Sequence, residues 1–417
     1  MPGTRTVLFT EPRAGAARML VQETFPPQLE PIVHPTPYPS SSSSLRPRRG
    51  RRWRTAAAVC AALLAAALPG GCAGSGPDRS AVPGGVTVPL RYMPAGSAGG
   101  KLSEPRLQAT ATIGRKQVSL LVDTGSTGLK VLTSAVGDGN ATPTGVTGSS
   151  SYLSGLQISG REAQADLRLG DVTARNQTVL LVDSLGCIDQ VPDCEAAHGT
   201  PEEFGGVFDG ILGIGLAERD QGVRGCCANP MAGLTNNGAF TVHFDEQHPE
   251  LVLNPDRKTL ERFTTVSLKR SATLAPSPGG SPTTVTAWDP APLQGCLTVT
   301  GVLNTRCAPV LFDTGTPTLA LEAPRFQGPV AGAVLKGGMI DTFGRQVTLA
   351  VTTADWKWTY RMPARKTAGK QPMNALSTPL VSYGLQARPL ILAGLPAFTK
   401  TDVLYDLKNG RTGLSPR

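Results

Sequence analysis

The hydrophobic positions of this chain fall in short runs and not in helical stripes. From about residue 86 onward, apolar and β-branched segments recur at 108–113, 118–122, 178–182, 240–244 and 347–351, each cut off by Gly, Asn, Asp or another polar residue. Runs of this length predict strands, and the residues between them predict tight turns. Long amphipathic helical stretches are scarce. Asp355-Trp356-Lys357-Trp358 alternates polar and apolar, which reads as a half-buried strand. The Pro-, Gly- and Ser-rich stretch 275–284 reads as a surface loop inside the second half of the chain. The fold expected is mainly β.

One internal echo organises these strands. Ser119-Leu120-Leu121-Val122-Asp123-Thr124-Gly125-Ser126 recurs 190 residues later as Pro309-Val310-Leu311-Phe312-Asp313-Thr314-Gly315-Thr316. Each copy is an apolar strand running into Asp-Thr-Gly, then a hydroxyl residue, then another apolar run (129–132 and 319–321). A second echo follows each copy: Gly210-Ile211-Leu212-Gly213, then Leu390-Ile391-Leu392-Ala393-Gly394. Two related halves are expected, a first β lobe over 86–236 and a second over 237–417.

A single Asp-Thr-Gly is ordinary turn chemistry. Duplication in matching contexts is what turn chemistry does not explain. A carboxylate at the end of a buried strand is costly unless something uses it. Two such groups brought together cannot both ionise easily, so one keeps a proton. The ionised member can then draw a proton from water while the protonated one polarises a carbonyl. Asp123 and Asp313 are therefore the candidate catalytic pair. Gly125 and Gly315 leave room for close approach, Ser126 and Thr316 place a hydroxyl beside each carboxylate, and Thr124 and Thr314 can tie the two loops together.

These residues resemble those of the pepsin-like aspartic endopeptidases, with the likeness running over most of 90–417. Ala109-Thr110-Ala111-Thr112-Ile113-Gly114 is similar to the family's first hairpin, and Phe208-Asp209-Gly210-Ile211-Leu212-Gly213 to its FDGILG segment. Val403-Leu404-Tyr405-Asp406 and Gly413-Leu414-Ser415-Pro416 resemble its closing segment. The resemblance implies an all-β, bilobal pepsin-like fold, two related β lobes with a cleft between them. It implies hydrolysis of peptide bonds in a peptide or protein substrate, a flap carried by Tyr152, and a monomer. It also places a disulfide where Cys296 and Cys307 precede the second Asp-Thr-Gly; these two flank a hairpin-like stretch with Gly301 and Asn304 available for its turn. The sequence departs from the family at Gly128 and Lys130, where Asn and Trp are usual, at Pro317 and at Leu395. The lost Trp packs near the flap tyrosine in the family, so flap geometry is the feature this departure touches. The alternative reading is a cell-envelope binding protein on the same fold that cuts nothing, since folds do not fix functions.

Charge changes little in this picture. The formal net charge is +9, but residues 1–54 hold nine Arg against three Glu and so carry six of those charges. No continuous basic stripe remains to bind nucleic acid. Residues 1–54 form a basic leader, expected to be disordered and to mark a misassigned start; 55–72 form an apolar run and cleavage box, and 73–85 a flexible tether. Arginines before a short apolar run describe a secretory signal, with an uncut membrane anchor as the alternative. Gly71-Cys72 resembles a bacterial lipoprotein box, with Leu68 one place further from the cysteine than usual; this makes Cys72 the candidate lipidation site and points to a lipoprotein branch of the family. Location is expected to be exported, periplasmic or in the cell envelope, with a lipid anchor to the membrane. Of the eight cysteines, six lie in the β region, and an even count in an exported chain suggests disulfides. Cys187, Cys194, Cys226 and Cys227 allow three pairings. Neighbours Cys226 and Cys227 are expected to take different partners because a bond between adjacent residues is strained. The histidines show no metal spacing, the cysteines form no CxxC, no GxSxG occurs, and Gly210-Ile211-Leu212-Gly213-Ile214-Gly215 falls short of a dinucleotide fingerprint. No cofactor or metal is expected.

Overall fold

The computed structural model describes residues 85–216, 227–274, 285–322, 340, 342–352, 354–362, 376–377 and 389–417. The leader, Cys72, the tether up to residue 84, the 275–284 stretch and Cys226 lie outside the described residues.

The protein is all-β, built from two related β lobes and a third sheet that draws on both ends of the described chain. The first lobe is an eight-stranded sheet ordered Arg91–Met93, Arg106–Ile113, Lys116–Asp123, Gly210–Ile214, Thr127–Leu132, Val172–Cys187, Leu156–Leu169, Thr142–Ser151. An extra pairing of Arg106–Ile113 with Leu156–Leu169 curls this sheet back on itself. The second lobe is a seven-stranded sheet ordered Trp356–Arg361, Gln346–Val351, Gln294–Val299, Leu303–Phe312, Leu390–Ala393, Leu319–Glu322, Leu376–Ser377.

The sequence echo is a topological echo. In the first lobe Lys116–Asp123 runs parallel to Gly210–Ile214, which pairs antiparallel with Thr127–Leu132, itself parallel to Val172–Cys187. In the second, Leu303–Phe312 runs parallel to Leu390–Ala393, which pairs antiparallel with Leu319–Glu322, itself parallel to Leu376–Ser377. Both Asp-Thr-Gly loops thus leave the end of a central strand flanked by the strand of the second echo. These central strands are buried on both faces, which is why they read as unbroken apolar runs.

The third sheet is antiparallel and ordered Val86–Pro89, Glu250–Leu253, Ala239–His243, Thr401–Asp406, Arg411–Pro416, Thr264–Ser267. It lies beneath the site. Tyr405 stacks on Phe240 at 5.1 Å and donates its buried hydroxyl to the carbonyl of Phe312 at 2.8 Å. The Phe312 ring in turn meets Trp356 and Phe398 edge-on at 5.5 and 6.0 Å. One continuous apolar core links all three sheets through these rings. Trp356 and Trp358 are buried while Lys357 between them is exposed, the alternation of a half-buried strand.

Cys296 and Cys307 are directly opposed on neighbouring antiparallel strands and are disulfide-bonded, with their Cα atoms 4.0 Å apart. Gly301 sits in the turn between them with φ +74°, but Asn304 belongs to the strand Leu303–Phe312 and takes no part in that turn. The second pairing corrects an expectation. Cys187 bonds Cys194, so neither is left for Cys226 or Cys227. The chain doubles back at once after Val172–Cys187 and brings the two Cα atoms to 5.6 Å, within disulfide range, seven residues apart. Cys227 is also disulfide-bonded.

Removing only the Tyr405 hydroxyl leaves the Phe312 carbonyl its second donor, Thr124. Tyr405→Phe should cost about 1 kcal/mol in urea denaturation, whereas Tyr405→Ala, which empties the stack on Phe240, should cost about 3–5 kcal/mol.

Candidate active site

Each aspartate is held by its own loop in nearly the same way. Asp123 Oδ1 accepts from the backbone N–H of Gly125 at 2.7 Å and of Ser126 at 3.2 Å, and its Oδ2 accepts from the Ser126 hydroxyl at 2.5 Å. Asp313 Oδ1 accepts from Gly315 N–H at 2.8 Å, and its Oδ2 from the Thr316 hydroxyl at 2.7 Å. Chain reversal immediately after the strand turns these donors back on the carboxylate, the local pattern that Asp favours in turns.

The two loops interlock through their threonines. Thr124 N–H donates to Thr314 Oγ1 at 3.1 Å, and Thr314 N–H donates to Thr124 Oγ1 at 2.9 Å. Each hydroxyl then donates across the joint to the carbonyl preceding the other aspartate, Thr124 to Phe312 at 2.9 Å and Thr314 to Val122 at 2.7 Å. Both threonines are fully buried. Four reciprocal bonds fix one lobe's loop to the other's.

That interlock presses the carboxylates together. Asp123 and Asp313 share a side-chain hydrogen bond. A Cβ on Gly125 would run into the Asp313 carboxyl group, and one on Gly315 would come within 2.5 Å of Asp123 Oδ1. Glycine is thus required at both positions because the opposite aspartate fills the space. Burial pushes Asp123 up to about 7, and the negative charge of Asp313 adds to the rise; the Ser126 hydroxyl and Gly125 N–H pull the other way. One member of the pair therefore holds a proton where a free aspartate would have lost it.

Tyr152 stands at the tip of a long hairpin formed by Thr142–Ser151 and Leu156–Leu169. The tip turn is closed by Tyr152 N–H to Leu156 O and Gly155 N–H to Tyr152 O, both 2.9 Å. Tyr152 packs on an apolar cluster of the first lobe that includes Leu121, Leu180, Phe208 and Ile211. Leu153 packs on the corresponding cluster of the second lobe, Leu311, Ala320, Leu390 and Leu392. The tip therefore touches both lobes, and the two clusters draw on equivalent strands, with Leu121 and Leu311 each two residues before an aspartate.

Two elements of this site went unread in the sequence, and a third was noted only as a departure from the resembled family. The loop closed by Cys187–Cys194 backs the hairpin tip: Ile188 N–H donates to Gly155 O at 2.9 Å, and Val191 lies against Gly155, whose φ is +87°. Leu153 carried no signal, because a single leucine in a loop has no period. Lys130 did carry one, a lysine inside an apolar run, and it proves to be buried at 1% exposure.

A family model described as a protein of unknown function (DUF3443) matches residues 101–237, the stretch holding the first Asp-Thr-Gly, the hairpin and the first Gly-Ile-Leu-Gly. No curated protein sequence matches the chain. Among solved structures, the crystal structure of an aspartic proteinase from Irpex lacteus is similar at 16% identity and a TM-score of 0.48, covering 80% of this chain and 97% of that one.

Two stability measurements test this geometry. Thr124→Val removes a donor to Phe312 and an acceptor for the buried N–H of Thr314, and should cost about 3 kcal/mol in urea denaturation; Thr124→Ser keeps the hydroxyl and should cost about 1 kcal/mol. The second is pH-dependent. Between about pH 4, where an unfolded aspartate titrates, and about 7, where Asp123 does, the folded state holds a proton that the unfolded chain has released. Stability from this group is fully present below that window, declines as pH rises through it and is flat above. Asp123→Asn should flatten that slope and leave the variant more stable than wild type above about pH 7, as read from denaturation midpoints across pH 4–8.

Proposed function

We propose that the protein is an aspartic endopeptidase acting through Asp123 and Asp313. The observation that carries this reading is the pair of buried carboxyls brought face to face by the interlocked Asp-Thr-Gly loops, and burial with the neighbouring charge raises the proton affinity of Asp123. An attacking water would lie between the carboxyls. The ionised one takes its proton as the oxygen attacks the peptide carbonyl, and the protonated one donates to the carbonyl oxygen. Collapse of the tetrahedral species sends a proton to the leaving nitrogen and restores the shared-proton pair. Neither a covalent intermediate nor a metal is needed.

The surroundings support an extended peptide as substrate. The two apolar clusters offer seats for hydrophobic side chains on either side of the scissile bond. The hairpin tip offers backbone groups to a strand lying beneath it. The sequence motifs at Asp-Thr-Gly, 208–213 and the C-terminal segment support the same reading independently. Disulfides at Cys187–Cys194 and Cys296–Cys307 fit an oxidising compartment, in keeping with export.

The test is a digest of an unbiased peptide library from about pH 3 to 8, the range over which paired carboxyls titrate. Cleavage should trace a bell on the acid side. It should fall at low pH as the second carboxyl protonates, and fall again as pH rises through about 7 and Asp123 loses its proton. A statine-type peptide, which mimics the tetrahedral species, should block it. Asp123→Asn and Asp313→Asn should each abolish cleavage while remaining folded. Absence of cleavage by folded wild-type protein at every pH overturns the peptidase reading in favour of a non-catalytic binding protein on the same fold.

A further inference from the structure

We propose that Lys130 is a positioning residue that holds the hairpin-tip tyrosine over the site by a cation–π contact. Lys130 lies in the middle of Thr127–Leu132, seven residues after Asp123. Leu129 and Val131 on either side of it point into the main core. Alternation along the strand puts Lys130 on the opposite face, beside its cross-strand partners Ile211 and Leu180, the face on which Tyr152 packs. Its ammonium donates to Thr127 O at 2.7 Å and stands 5.5 Å from the centroid of the Tyr152 ring. That separation is within the range in which an aromatic face attracts a cation, and the attraction is strongest where water is excluded.

The molecule supplies its own control for what the strand alone requires. The position 190 residues on is Ala320, in Leu319–Glu322, the strand with the same pairing in the second lobe. Ala320 is buried on the same kind of face, opposite Leu392. The strand therefore forms without a cation at this position. A buried charge is costly, so the lysine is retained for something the first lobe has beyond the strand. Among the described contacts, the tip carrying Tyr152 stands against it there. One end of the contact is rooted in the strand that leaves the Asp123 loop and the other in the turn above the site, so the lysine ties lid to floor.

The catalytic consequence rests on the proposed peptidase activity, whereas the contact itself is testable without it. Hydrogen exchange on the full folded chain, read at the amides of 151–156, should quicken about tenfold in Lys130→Met, with exchange in Ala239–His243 and Thr401–Asp406 unchanged. Tyr152→Leu should loosen the tip to the same degree and reads the contact from the other side if Lys130→Met does not fold. Adding Lys130→Met to Tyr152→Leu should produce no further change at the tip. Lys130→Arg, whose guanidinium also stacks on an aromatic ring, should restore protection. In the peptide assay Lys130→Met should raise KM about tenfold while kcat changes less, since the carboxyl pair is untouched. The proposal is overturned if tip exchange is unchanged in Lys130→Met, if the two substitutions loosen the tip additively, or if the sheet loosens as much as the tip. Loosening of the tip in a protein that cleaves nothing upholds the contact and removes only the peptidase reading.

Discussion

Everything at the centre of this molecule depends on the reciprocal bonding of Thr124 and Thr314. Two buried carboxyl groups at hydrogen-bond distance repel once both are charged, and nothing in either loop alone would hold them together. The threonines supply the opposing constraint. Each spends its N–H and its hydroxyl on the other lobe, so neither loop can retreat without leaving buried donors and acceptors unpaired. Separation of the aspartates is thereby coupled to separation of the lobes, and burial, with that repulsion added, is expressed as a raised proton affinity at Asp123 instead of as movement.

The interlock is anchored further down. The Phe312 carbonyl receives both the Thr124 hydroxyl and the Tyr405 hydroxyl, so the residue before the second aspartate is fixed from the first lobe and from the third sheet together. Tyr405 is raised well above the ordinary tyrosine range, chiefly by burial, so it remains a neutral donor throughout any accessible pH. The third sheet takes its outer strand, Val86–Pro89, from the start of the described chain and its centre from the end. A change in how those termini pack would reach the carboxyl pair through one hydroxyl.

The legible parts of the sequence were those whose physics is local. Asp-Thr-Gly followed by Ser126 or Thr316 folds onto its own carboxylate wherever it occurs, and its repetition declared two equivalent loops. The strands at 118–122 and 347–351 were readable because their apolar period matches their burial. What escaped depended on contacts between distant segments. The pairing of Val86–Pro89 with Glu250–Leu253 has no local signature. The Cys187–Cys194 bond depends on where a 16-residue strand ends, and strand ends are the least certain feature of a pattern-based reading. Asn304 is common turn chemistry placed in a strand because Gly301 already satisfied the turn. Lys130 was visible as a departure from the resembled family that touches flap geometry, but its contact with the Tyr152 ring, 22 residues on, has no sequence signature.

The two lobes therefore share a frame and differ in what is laid over it. The frame is symmetric at the carboxyl pair: each loop turns a glycine N–H and a hydroxyl onto its own aspartate and a threonine onto the other loop. Among the described residues the covering is asymmetric, since the hairpin tip is formed by the first lobe alone. In the first lobe a 16-residue strand runs out to the hairpin tip, a disulfide-closed loop supports the turn at Gly155, and a buried lysine faces the tyrosine ring. At the equivalent lysine position the second lobe presents only Ala320, part of the small apolar surface that receives Leu153. The symmetric pair is therefore set in a frame whose covering, among the described residues, is rooted in the first lobe and meets the second through Leu153.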